Sequence, residues 1–524
     1  VVEWRGDAGN SGGGGRVAFD VIIVGGGSAG CVLAARLTED PGRSVLLLEA
    51  GPDYPLLENL PPEIADGTEP ALTHDWGFAS QPDESGRSIQ LFRGRLMGGC
   101  SSTNACMALR GSPADYDGWP AAGGAGWSFD DVLPFFRAAE TDRDFGDRPW
   151  HGSGGPLPIR RYPVSELDPL QAASLDAARK LGHGVVEDHN EPWIVGAGPV
   201  PVNCVDGVRM STSLTYLAAA RGRANLSIRA DTLVDRVAFS GTRAIGVKVT
   251  GPDGSDELIE AGTVVVAAGA YASPAILLRS GVGSAPELAA LGIPSVVHAP
   301  GVGANLIEHA WLSVDVPGRP GPKPPSIIQT VITFHSAEAD TAGAPDLQML
   351  PCSEFEVPLT ASPTGSLFFV AASVIKPLSR GTVRLRSPDP AEPPAIDPAF
   401  LRHPHDMTRA LEAVRATRSM LRTPPLSAFV SGEELKPAPG VADDDDEALI
   451  RAVRATVDTY FHPVGTCRMG VDDTAVVDPG GRVHGIDGLR VCDASVMPDI
   501  PSANTNVPTI MVAERMAALM REEL

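Results

Sequence analysis

At 524 residues the chain is too long for one ordinary hydrophobic core, so two domains are expected. A composition of 43% hydrophobic and 20% charged residues is that of a globular protein, and 57 glycines with 48 prolines make it loop-rich without low complexity. The formal net charge of -23 argues against nucleic acid or an anionic lipid surface as a partner, because such a surface repels both.

The seven cysteines (Cys31, Cys100, Cys106, Cys204, Cys352, Cys467 and Cys492) are sparse, odd in number and never spaced CxxC. That usage reads as a reduced, cytoplasmic protein with mostly buried thiols. No run of eighteen apolar residues exists, so no membrane span is expected. Residues 1–18 are glycine-rich and polar, without the apolar core of a signal peptide, and read as a disordered extension.

The first element is the stretch FDVIIVGGGSAG at 19–30. Val21 to Val24 form a β-branched run suited to a parallel strand covered on both faces. Gly25, Gly27 and Gly30 follow with G-x-G-x-x-G spacing: one for the tight turn, one for close backbone approach to a pyrophosphate, one for helix–strand packing. The helix that follows offers free N–H groups to phosphates. A second strand, Val45 to Leu48, ends at Glu49, which lies 22 residues after Gly27, where an acid binds ribose hydroxyls. Together these describe a dinucleotide site. Gly26 to Gly30 also satisfy G-x-S-x-G, which would make Ser28 a hydrolase nucleophile; that reading leaves Glu49 without a role.

A loop-rich region, 51–87, leads to Phe92–Asn104. Basic residues beside paired glycines and hydroxyls there suit a second phosphate contact or, equally, a plain turn. Val132, Leu133, Phe135 and Phe136 give Trp127–Glu140 helical spacing, and Leu167–Leu181 reads as a helix within a proline-rich segment. Strands are expected at Leu226–Ile228, Leu233–Phe239, Ile245–Thr250 and Leu258–Ala261, with Asp253-Gly254 as a hairpin turn. Thr263 to Ala270 is a further buried strand, followed by a helix from Ser273 with Pro274 near its first position. Ile327–Phe334, Asp346–Pro351, Leu367–Ile375 and Gly381–Arg386 are candidates for an antiparallel sheet, and His403–Leu421 for a helix. The acidic run Asp443–Glu447 reads as a helix start complementing the helix dipole, not a metal site, with the helix ending near Tyr460 before Pro463. Leu489–Cys492 is a strand, and the last helix is expected from near Pro508 to Met520. His403-Pro404-His405 reads as surface loop, and no metal site is expected.

Six linked stretches resemble the glucose–methanol–choline (GMC) family of flavin oxidoreductases. They are VGGGSAGCVLAARL at 24–37, RGRLMGGCSSTN at 93–104, GAYASPAILLRSGVG at 269–283, GVGANL at 301–306, HPVGTCRMG at 462–470 and VCDASVMPDIPSANTNVPTIMVAERMA at 491–517. The resemblance implies an α/β fold: a Rossmann-like FAD-binding domain and a second, α+β substrate domain containing an antiparallel sheet. The expected boundaries are 19–155, 202–312 and 455–524 for the discontinuous FAD-binding domain, and 156–201 and 313–454 for the substrate-binding domain. FAD is the implied cofactor. Gly25, Gly27, Ser28 and Ala29 would hold its pyrophosphate, Glu49 with Ala50 the adenosine ribose, and Val234 the adenine. Gly98 and Asn104 would line the flavin, with Ala268, Asp493, Ala494 and Asn506 completing the cleft. Where some relatives carry a flavin-linked histidine this chain has Thr103, so the FAD is expected to be non-covalent.

The implied catalytic pair is His462 and Asn504, the latter eleven residues after Asp493. His462 just ahead of Pro463 reads on its own as structural; the family motif makes it the base. An imidazole suits the hydroxyl proton of an alcohol whose carbon-bound hydrogen leaves as hydride, and Asn504 suits the developing alkoxide. The implied function is oxidation of a CH–OH group to an aldehyde or ketone, with oxygen or another acceptor taking the electrons and a small-molecule alcohol as substrate. A hydroxynitrile-lyase-like enzyme on the same fold is the alternative; a serine hydrolase through Ser28 and a non-catalytic flavin protein are readings from other classes. The helix after Asn506 is expected to point its positive end at the flavin.

Overall fold

The computed structural model describes residues 19–250, 256–319, 321 and 324–523; the expected extension at 1–18 and the Asp253-Gly254 turn lie outside them. Six strands make the backbone of the first sheet: β1 (Phe19–Val24), β2 (Val45–Leu48), β3 (Leu226–Arg229), β4 (Val234–Ser240), β5 (Arg243–Thr250) and β6 (Asp256–Val266). Their order is β3-β2-β1-β6-β5-β4, and Leu489–Val491 adds a further strand on β6. The β3-β2-β1-β6 part and Leu489–Val491 are parallel; Val21 lies opposite Thr263 on one side and Val45 on the other. Val21 to Val24 and Val45 to Leu48 are all buried, which is why both strands read as unbroken apolar runs.

The two strands expected at 258–261 and 263–270 are one. The first half of β6 pairs antiparallel with β5, and its second half runs parallel between β1 and Leu489–Val491. Gly262 interrupts the sequence pattern at the change of partner without interrupting the strand. Helix α1 (Ser28–Leu37) leaves the glycine turn after β1. Helix α2 spans Gly269–Arg279, starting four residues earlier than the proline suggested. Pro274 therefore sits inside it and cannot donate to Ala270. The Thr466 hydroxyl donates to the Ala270 carbonyl instead, at 2.6 Å. Helix α3 (Asn506–Glu523) begins two residues before Pro508 and packs along α1, with Arg36 forked onto Glu514 at 2.8 Å through both Nε and Nη2.

The second sheet is antiparallel, in the order Asp458–Thr459, Ala310–Pro317, Ser366–Val374, Leu347–Glu356, Thr330–Phe334, Gly196–Pro199. Three of the expected strands are in it. Gly381–Arg386 is not: its Thr382–Arg384 portion forms a separate ribbon with Ala395–Asp397. The edge strand Gly196–Pro199 has no β-branched signal at all. A Cβ at Gly198 would stand 1.9 Å from the Val186 carbonyl oxygen, so close backbone approach selects that residue. Pro169–Lys180 and Pro404–Arg422 cover the sheet as helices. His403 caps the latter, its Nδ1 accepting from the His405 N–H at 3.2 Å, so the two histidines belong to a helix start rather than to a free loop.

The acidic run divides its work. Asp445 caps the helix Asp446–Thr456 by accepting from the Ala448 N–H at 3.0 Å, while Asp443 pairs with Arg418 at 2.8 Å and Arg422 at 2.5 Å. The helix stops at Thr456, short of Tyr460, because Asp458 and Thr459 are drawn into the sheet opposite Trp311 and Ala310.

A buried ionic cluster closes the segment between 110 and 190. His151 Nδ1 lies 2.7 Å from Glu140 and 3.1 Å from Asp142, and Nε2 lies 2.8 Å from Asp188. Arg110 pairs with Glu140, and Arg161 with Asp142 and Asp188. Three acids thus face two guanidiniums and one imidazole, which balance only if His151 is charged. Burial pulls its pKa down, but the hydrogen bonds to Asp188 and Glu140 outweigh that and hold it above 6.5. The cluster therefore stabilises fully below pH 6.5, and the contribution fades as pH rises through the raised value. His151→Gln should lower stability by about 3 kcal/mol at acid pH. In melting curves across pH, the wild-type advantage should shrink as pH climbs; a difference independent of pH would refute the charged imidazole.

Candidate active site

A cleft of about 530 Å³ opens where β1, β2, β6 and Leu489–Val491 end, the side of a parallel sheet where ligands bind. Gly25 ends β1 at φ +106°, and a Cβ there would meet the Ala267 carbonyl oxygen at 2.5 Å. Gly30 is closed tighter still: its Cβ would lie 1.8 Å from the Gly25 oxygen. Gly27 is different. A Cβ there would have nothing nearer than the Gly99 Cα at 3.9 Å, so a space stands open above the α1 N-terminus, which carries no side-chain cap among the described residues. Oriented N–H groups with room in front of them form a cradle for phosphate.

Glu49 is buried at the end of β2. Its Oε2 accepts from the Gly26 N–H at 2.8 Å and its Oε1 from the Gly51 N–H at 2.9 Å. Desolvation outweighs those bonds and pushes its pKa up to about 7. Ala50 and Val234 continue this wall. At the end of Leu489–Val491, Asp493 accepts from the Gly269 N–H at 2.8 Å and the Ser273 hydroxyl at 2.5 Å, fastening α2; Ala268 and Ala494 line the cleft beside it. Ser28 donates its hydroxyl to Asn506 Oδ1 at 2.8 Å, an amide rather than an imidazole, so it lacks the base a serine nucleophile needs. Asn506 Nδ2 is buried and unpartnered among the described residues, which suits a ligand acceptor. Thr103 and Asn104 line the cleft as well. Every expected site residue borders it except Gly98, whose N–H donates to the Gly26 carbonyl at 2.7 Å while Gly99 takes the position facing Gly27.

At the other end stand His462 and Asn504. Asn504 Nδ2 lies 3.1 Å from His462 Nε2 and 3.7 Å from the Met107 sulfur, and Asn504 Oδ1 is buried and unpartnered among the described residues. The opposite ring nitrogen, His462 Nδ1, lies 3.0 Å from His309 Nδ1. When the Asn504 amide donates to Nε2, the His462 proton sits on Nδ1 and is donated to His309. Burial, then the nearby His309 and the Arg93 charge, hold His462 well below the ordinary 6.5, so it is a neutral base. His309 is pushed down to about 3, by burial first and the Lys376 charge second.

The loop carrying His462 is held by its backbone. Phe461 adopts a left-handed φ of +64°, costly for a bulky residue. The peptide is pinned on both sides: Arg93 Nη1 donates to the Phe461 carbonyl at 2.8 Å, and the His462 N–H donates to Glu308 Oε1. Glu308 Oε2 accepts from the Tyr271 hydroxyl at 2.9 Å and has Arg93 at 4.0 Å. Arg93 thus serves the histidine loop, and Arg95 stacks on Trp76 at 5.1 Å.

Glu308, His309 and Tyr271 escaped the sequence reading. The signals were an acid–histidine pair two residues beyond the quoted GVGANL stretch and, for Tyr271, its place within the quoted 269–283 stretch. Lys376 also gave no signal. Its Nζ lies 2.7 Å from Asp499 and 3.0 Å from Asp115 and donates to the Ile500 carbonyl at 2.6 Å, while Asp115 accepts from the Ser502 N–H and hydroxyl. That lysine holds the 499–502 turn that leads to Asn504. Lys376→Met should leave Asp115 without its cation and Asp499 with Arg380 alone, and cost about 3 kcal/mol. Thermal unfolding should show a clearly lower midpoint, and an unchanged midpoint would refute the clamp.

Two family models described as GMC oxidoreductase match the chain, one over residues 19–311 and one over 377–513. An oxygen-dependent choline dehydrogenase of Pseudomonas fluorescens is 37% identical, over 96% of this chain and 94% of its own. A 5-(hydroxymethyl)furfural oxidase of Methylovorus sp. is 38% identical, over 95% and 98%. The solved structure of pyridoxine 4-oxidase from Mesorbium loti superposes with a TM-score of 0.88 at 33% identity, covering 96% of this chain and 99% of the other.

Proposed function

The chain belongs to the GMC oxidoreductase family, and from that premise we propose that His462 and Asn504 carry the alcohol chemistry of an FAD-dependent enzyme that oxidises a CH–OH group. The observation that carries the reading is one cleft holding both a phosphate cradle and a buried, neutral imidazole. The residues present fit the cofactor. Gly25, Gly27, Ser28 and Ala29 would hold the pyrophosphate, and Glu49 has lone pairs left for ribose hydroxyls. Asn506 Nδ2 supplies an unused donor, and the α3 N-terminus, with Asn506 and Thr509 bordering the cleft, supplies a positive end for the flavin. What FAD contributes when bound is the hydride acceptor, flavin N5.

A substrate hydroxyl beside the pair takes the place of the Asn504 N–H on His462 Nε2, donating to that nitrogen while it accepts from the Asn504 amide. His462 takes the hydroxyl proton while Asn504 stays on the oxygen as charge develops there. The resulting imidazolium keeps its Nδ1–H on His309, a neutral acceptor that fixes the ring without adding charge. Asn504 is uncharged at any working pH and cannot compete for the proton. The net charge supports a small-molecule substrate over nucleic acid, and seven free cysteines support a reducing, cytoplasmic setting. Among the described residues no helix is long and apolar enough to cross a membrane.

His462→Ala should slow anaerobic flavin reduction by about a hundredfold or more with FAD content retained. In the wild type the same rate should be flat with pH from 6.5 upward, because the base is already unprotonated there. An unchanged rate in the variant would overturn the assignment. Admitting air afterwards separates oxygen from another electron acceptor by the speed of reoxidation.

Thr103 offers no imidazole for a flavin link, so the FAD is held non-covalently. Acid or heat denaturation should release all of it into the supernatant; flavin colour remaining with the precipitated protein would refute this.

A further inference from the structure

The cleft is electrically lopsided, and the side chains around His462 choose a substrate class. Tyr460 lies with its ring 4.4 Å from the His462 imidazole, and Trp311 meets Tyr460 edge-on at 5.0 Å. Met107, against Asn504, and Ile328 complete that wall, and all four belong to one apolar cluster. The Tyr460 hydroxyl is turned away and committed to Gln348 Oε1 at 2.6 Å, so the ring presents carbon to the cleft.

The carboxylates bordering the cleft lie elsewhere. Glu49 and Asp493 are held by backbone N–H groups at strand ends. Glu392 sits on the loop after Asp389, whose charge reaches Arg279, and Arg279 is hydrogen-bonded to the Asp235 carbonyl beside Val234, at the far end. The fixed charges close to His462 are Arg93 and Glu308, and Glu308 is spent on the His462 N–H, Tyr271 and Arg93. Among the described residues no carboxylate faces the substrate side, while the Arg93 guanidinium borders the cleft, its buried Nε and Nη2 without hydrogen-bond partners and Nη2 4.0 Å from Glu308.

On the reading given under Proposed function, we infer that the substrate is an uncharged alcohol whose carbinol is attached to a flat aromatic ring, and that quaternary ammonium alcohols are rejected. An aromatic ring gains from Tyr460 and Trp311 by offset or edge contact and from the Met107 sulfur at its edge. A quaternary ammonium would find aromatic carbon, but with a guanidinium nearby and no acid facing it.

The test compares three probes in anaerobic reduction of the FAD-loaded enzyme: benzyl alcohol, choline, and 3,3-dimethylbutan-1-ol, which has the shape of choline without its charge. Benzyl alcohol should exceed choline by about a hundredfold in apparent second-order rate, with the neutral isostere between them. Trp311→Glu should shift the choline-to-isostere ratio toward choline by about tenfold or more. Choline reducing the wild type faster than its isostere overturns the inference. So does the isostere outrunning benzyl alcohol, which would remove the aromatic part. Reduction by none of the three would instead remove the alcohol-oxidation reading beneath it.

Discussion

Two helix N-termini converge on one cleft, and a single hydrogen bond from Ser28 to Asn506 joins them across 478 residues of sequence. Each end carries unsatisfied N–H groups and a partial positive charge, so the pair is mutually repulsive in the absence of something negative between. The fold accepts this because α1 and α3 are otherwise bound along their length, through apolar packing and the Arg36–Glu514 fork. The arrangement makes sense around an anionic dinucleotide. Strand ends, glycine turn, Glu49 and the Asp493 clamp are all placed by the same parallel sheet, so losing its register would move them together.

The other half of the site is governed by burial. His462 is a useful base because desolvation keeps it neutral, and its own backbone, rather than a charged side-chain partner, is what Glu308 and Arg93 grip. A carboxylate on Nδ1 would make a stronger base but would also add a charge to a wall that is otherwise apolar. His309 orients the ring and, after burial, helps hold His462 below its ordinary value.

How much of this was legible follows the range of the interactions. β1, the glycine turn, α1 and Glu49 are contiguous, and their spacing alone describes the turn because each glycine answers a local steric demand. The family resemblance led to His462 and Asn504, which stand 42 residues apart in the chain and 3.1 Å apart in space. His309, Met107, Trp311 and Lys376 carry no local pattern; each matters only through contacts made across a hundred residues or more. Strand ends failed for similar reasons. β6 was split at Gly262 because a change of sheet partner looks like a turn, and Gly196–Pro199 was invisible because its strand character is imposed by neighbours. Pro274 misplaced the start of α2, since a threonine far downstream supplies the donor the proline lacks.

The short strand Asp458–Thr459 belongs to the antiparallel sheet, and three residues after it comes His462; Asn504 instead leads straight into α3, on the other core. Base and amide are therefore positioned by different elements, the antiparallel sheet and α3, and the 3.1 Å between them depends on how those elements pack. A displacement of about 1 Å at such a junction is enough to cost two orders of magnitude in rate. Substrate wedged against the antiparallel sheet acts on the alignment as well as on the occupancy of the site. An alcohol that binds tightly while holding His462 and Asn504 apart would then be a poor substrate.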